Sequence, residues 1–111
     1  MSVERGDVVW SDDPFKDGAA GRPWLVLNDE MHPFGDEQHM AVALSTSGHD
    51  AAIPIREADW IDGGTPKRSY VLPWAIHSPQ RADVTHRQGR LDAAIVTRTV
   101  EQLLAYIEPD E

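Results

Sequence analysis

Cysteine is absent from this 111-residue chain, which excludes disulfide staples, zinc ribbons and thiol chemistry. Long hydrophobic runs are absent too. No stretch approaches the about 18 apolar residues of a membrane span, and the charged start MSVERGDVVW lacks the apolar centre of a signal peptide. These absences lead us to expect a soluble cytoplasmic protein with no membrane partner, and the length is that of one domain covering 1–111. Metal-ligand spacing is missing as well. His32, His39, His49, His77 and His86 show no His-x₃-His pattern on a helix, so no metal and no cofactor is expected, and the histidines read as loop or surface residues.

Positive charge is scarce. The net charge is −9, with 19 acidic against 10 basic side chains, and a nucleic-acid binder ordinarily shows a basic footprint. The distribution is uneven, however. Residues 1–64 carry 13 acidic and 4 basic side chains, whereas 65–111 carry 6 of each, and the window 67–98 is locally cationic with Lys67, Arg68, Arg81, Arg87, Arg90 and Arg98 against Asp83 and Asp92. Convergence of these groups would line a phosphate-tracking groove. Asp outnumbers Glu 12 to 7, and lysine is confined to Lys16 and Lys67 beside eight arginines, a bias similar to that of halophilic proteins. At about 1 M salt the Debye length is about 3 Å, so repulsion between an acidic surface and a polyanion is screened.

The segments that are present read as short strands and one helix. GDVVW (6–10) is β-branched and bounded by Gly6, and a polar loop runs from 11 to 21. PWLVLN (23–28) is a near-continuous apolar run, which suits a strand buried on both sides or shielded by a helix. HMAVALSTS (39–47) ends in three hydroxyl residues. Pro54 makes AAIPIREADW an edge strand or a strand end, IDGGT is a turn and KRSYVLPW a strand, with two more short strands around Ala75–His77 and Ala82–Thr85. From Asp92, a plausible N-cap, Val96, Val100, Leu103 and Ile107 recur at helical spacing, widened by Ile95 and Leu104, until Pro109. The fold class is mostly β with one C-terminal α-helix, a small barrel or strongly curved sheet.

Chemistry concentrates at GRPWLVL (21–27). Arg22 is held between a glycine and a proline at the mouth of an apolar strand, and a guanidinium matches a phosphate in a bidentate way without ever losing its charge. If the second and third strands are antiparallel neighbours, Arg22 lies beside Ser45 and Thr46. An arginine with a hydroxyl suits cleavage of RNA by its own 2′-OH.

In their order and spacing these segments resemble the MazF/PemK toxins of toxin–antitoxin systems: RGDVVW, GRPWLVLND, MAVALSTS, KRSYVLPWAI and GRLDAAIVTRTVEQLLAYI. The resemblance implies an SH3-like barrel with a C-terminal helix and a metal-independent, sequence-selective endoribonuclease (mRNA interferase). Such an enzyme cuts single-stranded RNA to a 2′,3′-cyclic phosphate, works as a homodimer and is neutralised by a cognate antitoxin. It implies Arg22 as the catalytic arginine and Ser45 or Thr46 as the catalytic hydroxyl. Lys67, Arg68, Arg81 and Arg87 are the candidate RNA-binding residues. Two departures favour the alternative of a non-catalytic barrel used as a binding or growth-inhibiting module. Trp74 and Ala75 stand where the family has Asp-Gln, and the loop after Trp10 is acidic, with Asp12, Asp13 and Asp17. Among the tryptophans, Trp10 and Trp24 are expected in the core, although all four have the chemistry to stack bases.

Overall fold

The computed structural model describes residues 2–16 and 20–109. Seven strands, β1 (Asp7–Asp12), β2 (Gly21–Val26), β3 (Ala41–Ser45), β4 (Ile53–Pro54), β5 (Trp60–Gly63), β6 (Tyr70–His77) and β7 (His86–Leu91), precede the helix α1 (Ala93–Ile107). They form one curled antiparallel sheet in the order β4-β6-β3-β2-β1-β7-β5, a half-barrel. The mostly β fold with a terminal helix is therefore as expected.

The central strands are apolar on both faces, which is why their sequences run without alternation. Val8, Leu25, Val42 and Leu44 join Leu91, Ile95 and Val96 in one cluster. Val9, Trp24, Val26, Ala41 and Ala43 form a second on the opposite face. Helix α1 closes the first cluster. Its N-cap is Asp92, whose carboxylate accepts from the Ala94 N–H at 2.7 Å, a bond of the kind that contributes about 1 kcal/mol. The apolar stripe of α1 is covered as far as Leu103: Ile95, Val96 and Thr99 are buried and Val100 and Leu103 are partly buried against the cluster, while Leu104 and Ile107 are exposed.

Five segments differ from the sequence expectation. AAIPIREADW is a strand only at Ile53–Pro54, with a 3₁₀ turn at Glu57–Asp59 before Trp60 opens β5, and Ala75–His77 is not a separate strand but the end of β6. Ala82–Thr85 is not a strand: Arg81–Asp83 form a 3₁₀ turn and the strand begins at His86. IDGGT is not simply a turn. Trp60–Gly63 pair with β7, and the chain bends only at Gly63 and Gly64, both at positive φ. The 11–21 loop is shorter, since Ser11 and Asp12 continue β1 and Gly21 opens β2. Within it, Asp17 and Gly18 lie outside the described residues. The loop is shortened by the local β1–β2 hairpin, whereas the strand starting at His86 is set by long-range pairing, since β7 is recruited by β1 about 80 positions away in sequence. Among the described residues no helix is long and apolar enough to cross a membrane.

Candidate active site

Arg22 lies inside β2 rather than ahead of it, opposite Ser11 of β1. Its glycine neighbour acts through space and not through conformation: Gly21 has no positive φ, but a Cβ there would collide with the indole of Trp10. The missing side chain lets Trp10 lie across the mouth of β2. The other neighbour, β3, is antiparallel to β2 with Trp24 opposite Ala43, which brings the start of β2 beside the end of β3. Accordingly Nη2 of Arg22 donates to the Leu44 carbonyl at 2.7 Å.

These strand ends line an open cavity of about 440 Å³, into which Arg22, Ser45, Thr46 and Lys67 all contribute, with Trp10, Asp13, Thr65, Ser69 and Gln88 around them. The juxtaposition of arginine and hydroxyls expected from antiparallel neighbours is thus present. The guanidinium is only partly occupied. Nη1 is 3.6 Å from a carboxylate oxygen of Asp13, and Cζ stands 5.8 Å from the Trp24 ring centroid. Nε is buried with no hydrogen-bond partner among the described residues. A buried donor left unmade costs about 1–3 kcal/mol, so this guanidinium is not fully satisfied by the protein around it. Ser45 Oγ accepts from the Ser47 N–H at 3.0 Å, which orients that hydroxyl, and Thr46 is exposed. Thr65 and Ser69 hydroxyls lie 3.0 Å apart, and both reach the carbonyl of Lys67, at 2.7 and 3.1 Å, bracing the segment that carries the lysine.

The other expected RNA-binding residues do not converge here. Arg68 lies beside the Tyr70 ring, 6.0 Å from its centroid, and borders a separate depression next to β5. Arg81 is near His39. Arg87 is committed internally: Nε donates to Asp7 at 3.1 Å and Nη2 to Asp62 at 2.8 Å. Arg90 also donates to Asp7, at 2.8 Å. These bonds hold the Arg87 guanidinium well above its ordinary pKa and the Asp62 carboxyl below its own. One groove tracked by all the cations of 67–98 is therefore absent, and Lys67 alone of the named group joins Arg22.

Aromatic and imidazole groups are sorted differently from the expectation. Trp24 is fully buried, as expected, but Trp10 is half-buried and lines the cavity. His86 is exposed and stacks against Trp10, with the rings 9° from parallel. His77 packs on Trp24, 4.8 Å between centroids, and its Nε2 is 3.8 Å from Asp12. His39, read from sequence as a loop or surface residue, is fully buried, with neither ring nitrogen partnered among the described residues. Burial, then the charges of Arg81 and His32, lower its pKa below 6.5. Among the described residues no three His, Asp or Glu side chains are grouped as a metal ion requires.

Gln88, Asp13 and Trp10 were missed as site residues. Gln88 is the extra residue of a β-bulge, since Val8 pairs with Gly89 and Val9 with Arg87. Only the glycine that follows it hints at this in the sequence.

No family model matches the chain, and no curated protein matches it. Solved structures do. A mycobacterial endoribonuclease in complex with its cognate antitoxin superposes with a TM-score of 0.67 at 19% identity, covering 94% of this chain and 90% of that one. MazF from Deinococcus radiodurans gives 0.75 at 15% identity, with 96% and 97% covered. Mycobacterium tuberculosis toxin MazF-mt6 gives 0.72 at 16% identity, with 95% and 99% covered. At these identities the likeness is one of fold, extending over nearly the whole of each chain: the seven-stranded half-barrel with its C-terminal helix is the fold of the MazF/PemK toxins.

Proposed function

We propose that the chain is a single-domain, metal-independent endoribonuclease toxin that cuts single-stranded RNA at selected sequences. The observation that carries this reading is the Arg22 guanidinium, with a buried, unpartnered Nε, in one cavity with Ser45, Thr46 and Lys67. In the reaction the 2′-oxygen attacks the adjacent phosphorus, the bond from phosphorus to the 5′-oxygen breaks, and a 2′,3′-cyclic phosphate and a 5′-hydroxyl are left. Arg22 offsets the charge that builds on the phosphoryl oxygens, and Ser45 or Thr46 donates or relays a hydrogen bond. Lys67 attracts the flanking backbone as a point charge. Arg68 and Arg81 serve longer RNA outside the cavity, and Arg87 acts indirectly by holding β7 to β1.

A cognate antitoxin is the expected partner, because the fold is shared with proteins solved in complex with one. The exposed Leu104 and Ile107 at the end of α1 support a homodimer, since solvent is a poor neighbour for that stripe. The acidic, lysine-poor surface suits a cytoplasm of high ionic strength.

The test is incubation of the pure protein with a long RNA, in chelator, at moderate and at high salt, beside Arg22→Ala. Cuts bearing cyclic phosphate ends that vanish in the variant are expected, and no cleavage at either salt sinks the reading. In that event the second reading, a non-catalytic binding module, stands, and it has an observation of its own. Two of the three guanidinium nitrogens face Leu44 and Asp13 rather than open solvent. For the dimer, sedimentation returning only the mass of one chain overturns the expectation.

A further inference from the structure

Gln88 stands out among the cavity residues that the cleavage chemistry does not use. It occupies the bulge between the pairs Val8–Gly89 and Val9–Arg87, and a bulge is the device by which a strand re-aims one side chain beside a site. The bulge is clamped from the far side by β5. The Gly64 N–H donates to the Gln88 carbonyl at 3.1 Å, and a Cβ on Gly63 would collide with that same carbonyl. Gly63 also holds φ at +66°, so no other residue type fits there without strain. A Cβ on Gly89 would likewise meet the Asp62 carbonyl. Two glycines thus bring the strands into close approach and fix the backbone of Gln88.

The side chain held in this way is chemically unfinished. Its Oε1 is buried with no hydrogen-bond partner among the described residues, and Gln88 lines the cavity together with Arg22 and Trp10. A buried amide oxygen without a donor is disfavoured unless a ligand supplies one. The protein thus contributes three complementary groups to one cavity: a cation for a phosphate, a flat indole for a ring face, and an amide for a ring edge. A primary amide offers an acceptor beside a donor in one plane, the complement of a donor–acceptor base edge such as that of adenine.

We infer that Gln88 is the residue that selects the nucleobase next to the phosphate held by Arg22, its amide reading the base edge while Trp10 stacks on the face. This rests on the cavity being an RNA site. The guanine edge that presents two acceptors leaves Oε1 unpaired and is discriminated against.

Cleavage-site mapping on a long RNA tests it, with wild type, Gln88→Ala and the near-isosteric Gln88→Met, which keeps the cavity filled should the alanine variant fold poorly. The expected result is loss of preference at one position flanking the cut, by about tenfold, with preferences elsewhere unchanged, since one bidentate base contact carries about that much discrimination. Unchanged preference at every position in Gln88→Met overturns the inference. If wild type does not cleave RNA, the endoribonuclease reading falls while this one is decided by binding. Tryptophan fluorescence titrations with the four homotetraribonucleotides must then give unequal affinities that Gln88→Met levels. Equal affinities in wild type overturn it.

Discussion

Two arginine clusters lie on neighbouring strands, and they differ in what is left over. Around Asp7, a nearly fully buried carboxylate receives both Arg87 and Arg90, Arg87 also reaches Asp62, and Arg90 donates to the Arg5 carbonyl at 3.1 Å. That cluster is closed: donors and acceptors match, and it fastens β1 to β7. Around Arg22 the sums do not match. Among the described residues, one carbonyl and one distant carboxylate serve a guanidinium whose third, buried nitrogen is unserved. Cationic residues signal chemistry by their unsatisfied valence, not by their number.

The largest effect expected from breaking this contrast is at the open cluster. Arg22→Ala lowers the RNA cleavage rate by about 10³-fold, the scale of losing one preorganised oxyanion donor, and leaves the thermal midpoint nearly unchanged. A loss of stability instead, with cleavage intact, would make Arg22 structural. At the closed cluster the outcome reverses. Asp7→Ala leaves two arginines facing each other and costs about 3 kcal/mol of stability, read by urea unfolding, with cleavage per folded molecule retained.

A smaller effect sharpens the comparison from inside the cavity. Asp13→Asn keeps the acceptor for the Phe15 N–H, now bonded at 2.9 Å, but removes the charge that competes with phosphate for Arg22. KM for a short RNA falls about fivefold at low salt and the difference shrinks at high salt, as screening of one charge requires. Unchanged KM at low salt refutes the competition.

The smallest effect lies outside both clusters. His39 has a folded pKa below its ordinary 6.5, so the unfolded chain binds the proton more readily, and the native state loses stability as pH falls from about 6.5 towards that lowered value. Asp59 and Asp62, whose pKa values are lowered by Arg56 and Arg87, weaken the fold only at lower pH, below the ordinary 3.8. Thermal melts at pH 7.5 and 5.5 should therefore separate for wild type and nearly coincide for His39→Gln. A wild-type midpoint that does not move over this window contradicts the assignment.

The legible parts of the sequence were those set by local patterning. The stripe and N-cap of α1, the two-face burial of Leu25 and Val26, and the meeting of Arg22 with Ser45 follow from periodicity and from adjacent antiparallel strands. What pairing across the whole chain decides was not legible. His86–Leu91 is polar enough to pass for a loop, yet β1 and β5 enclose it, and its arginines turn to Asp7 rather than to solvent. The same holds for Gln88, whose orientation is a property of a bulge, and for Trp10, whose half-exposure depends on the space above Gly21. Asp13 looked like an obstacle to an anion. Its partner, Arg22, is nine residues on and meets it through the pairing of β1 with β2.

The cavity also has a consequence for when it can exist. Its walls are drawn from Trp10 through Gln88, and the strand bearing Gln88 must return across the sheet to pair with β1. A chain still emerging from the ribosome completes its first hairpin early but has no pocket until more than three quarters of its length is free, and that final pairing closes a long loop, which is slow. The cavity is therefore among the last features of the fold to form.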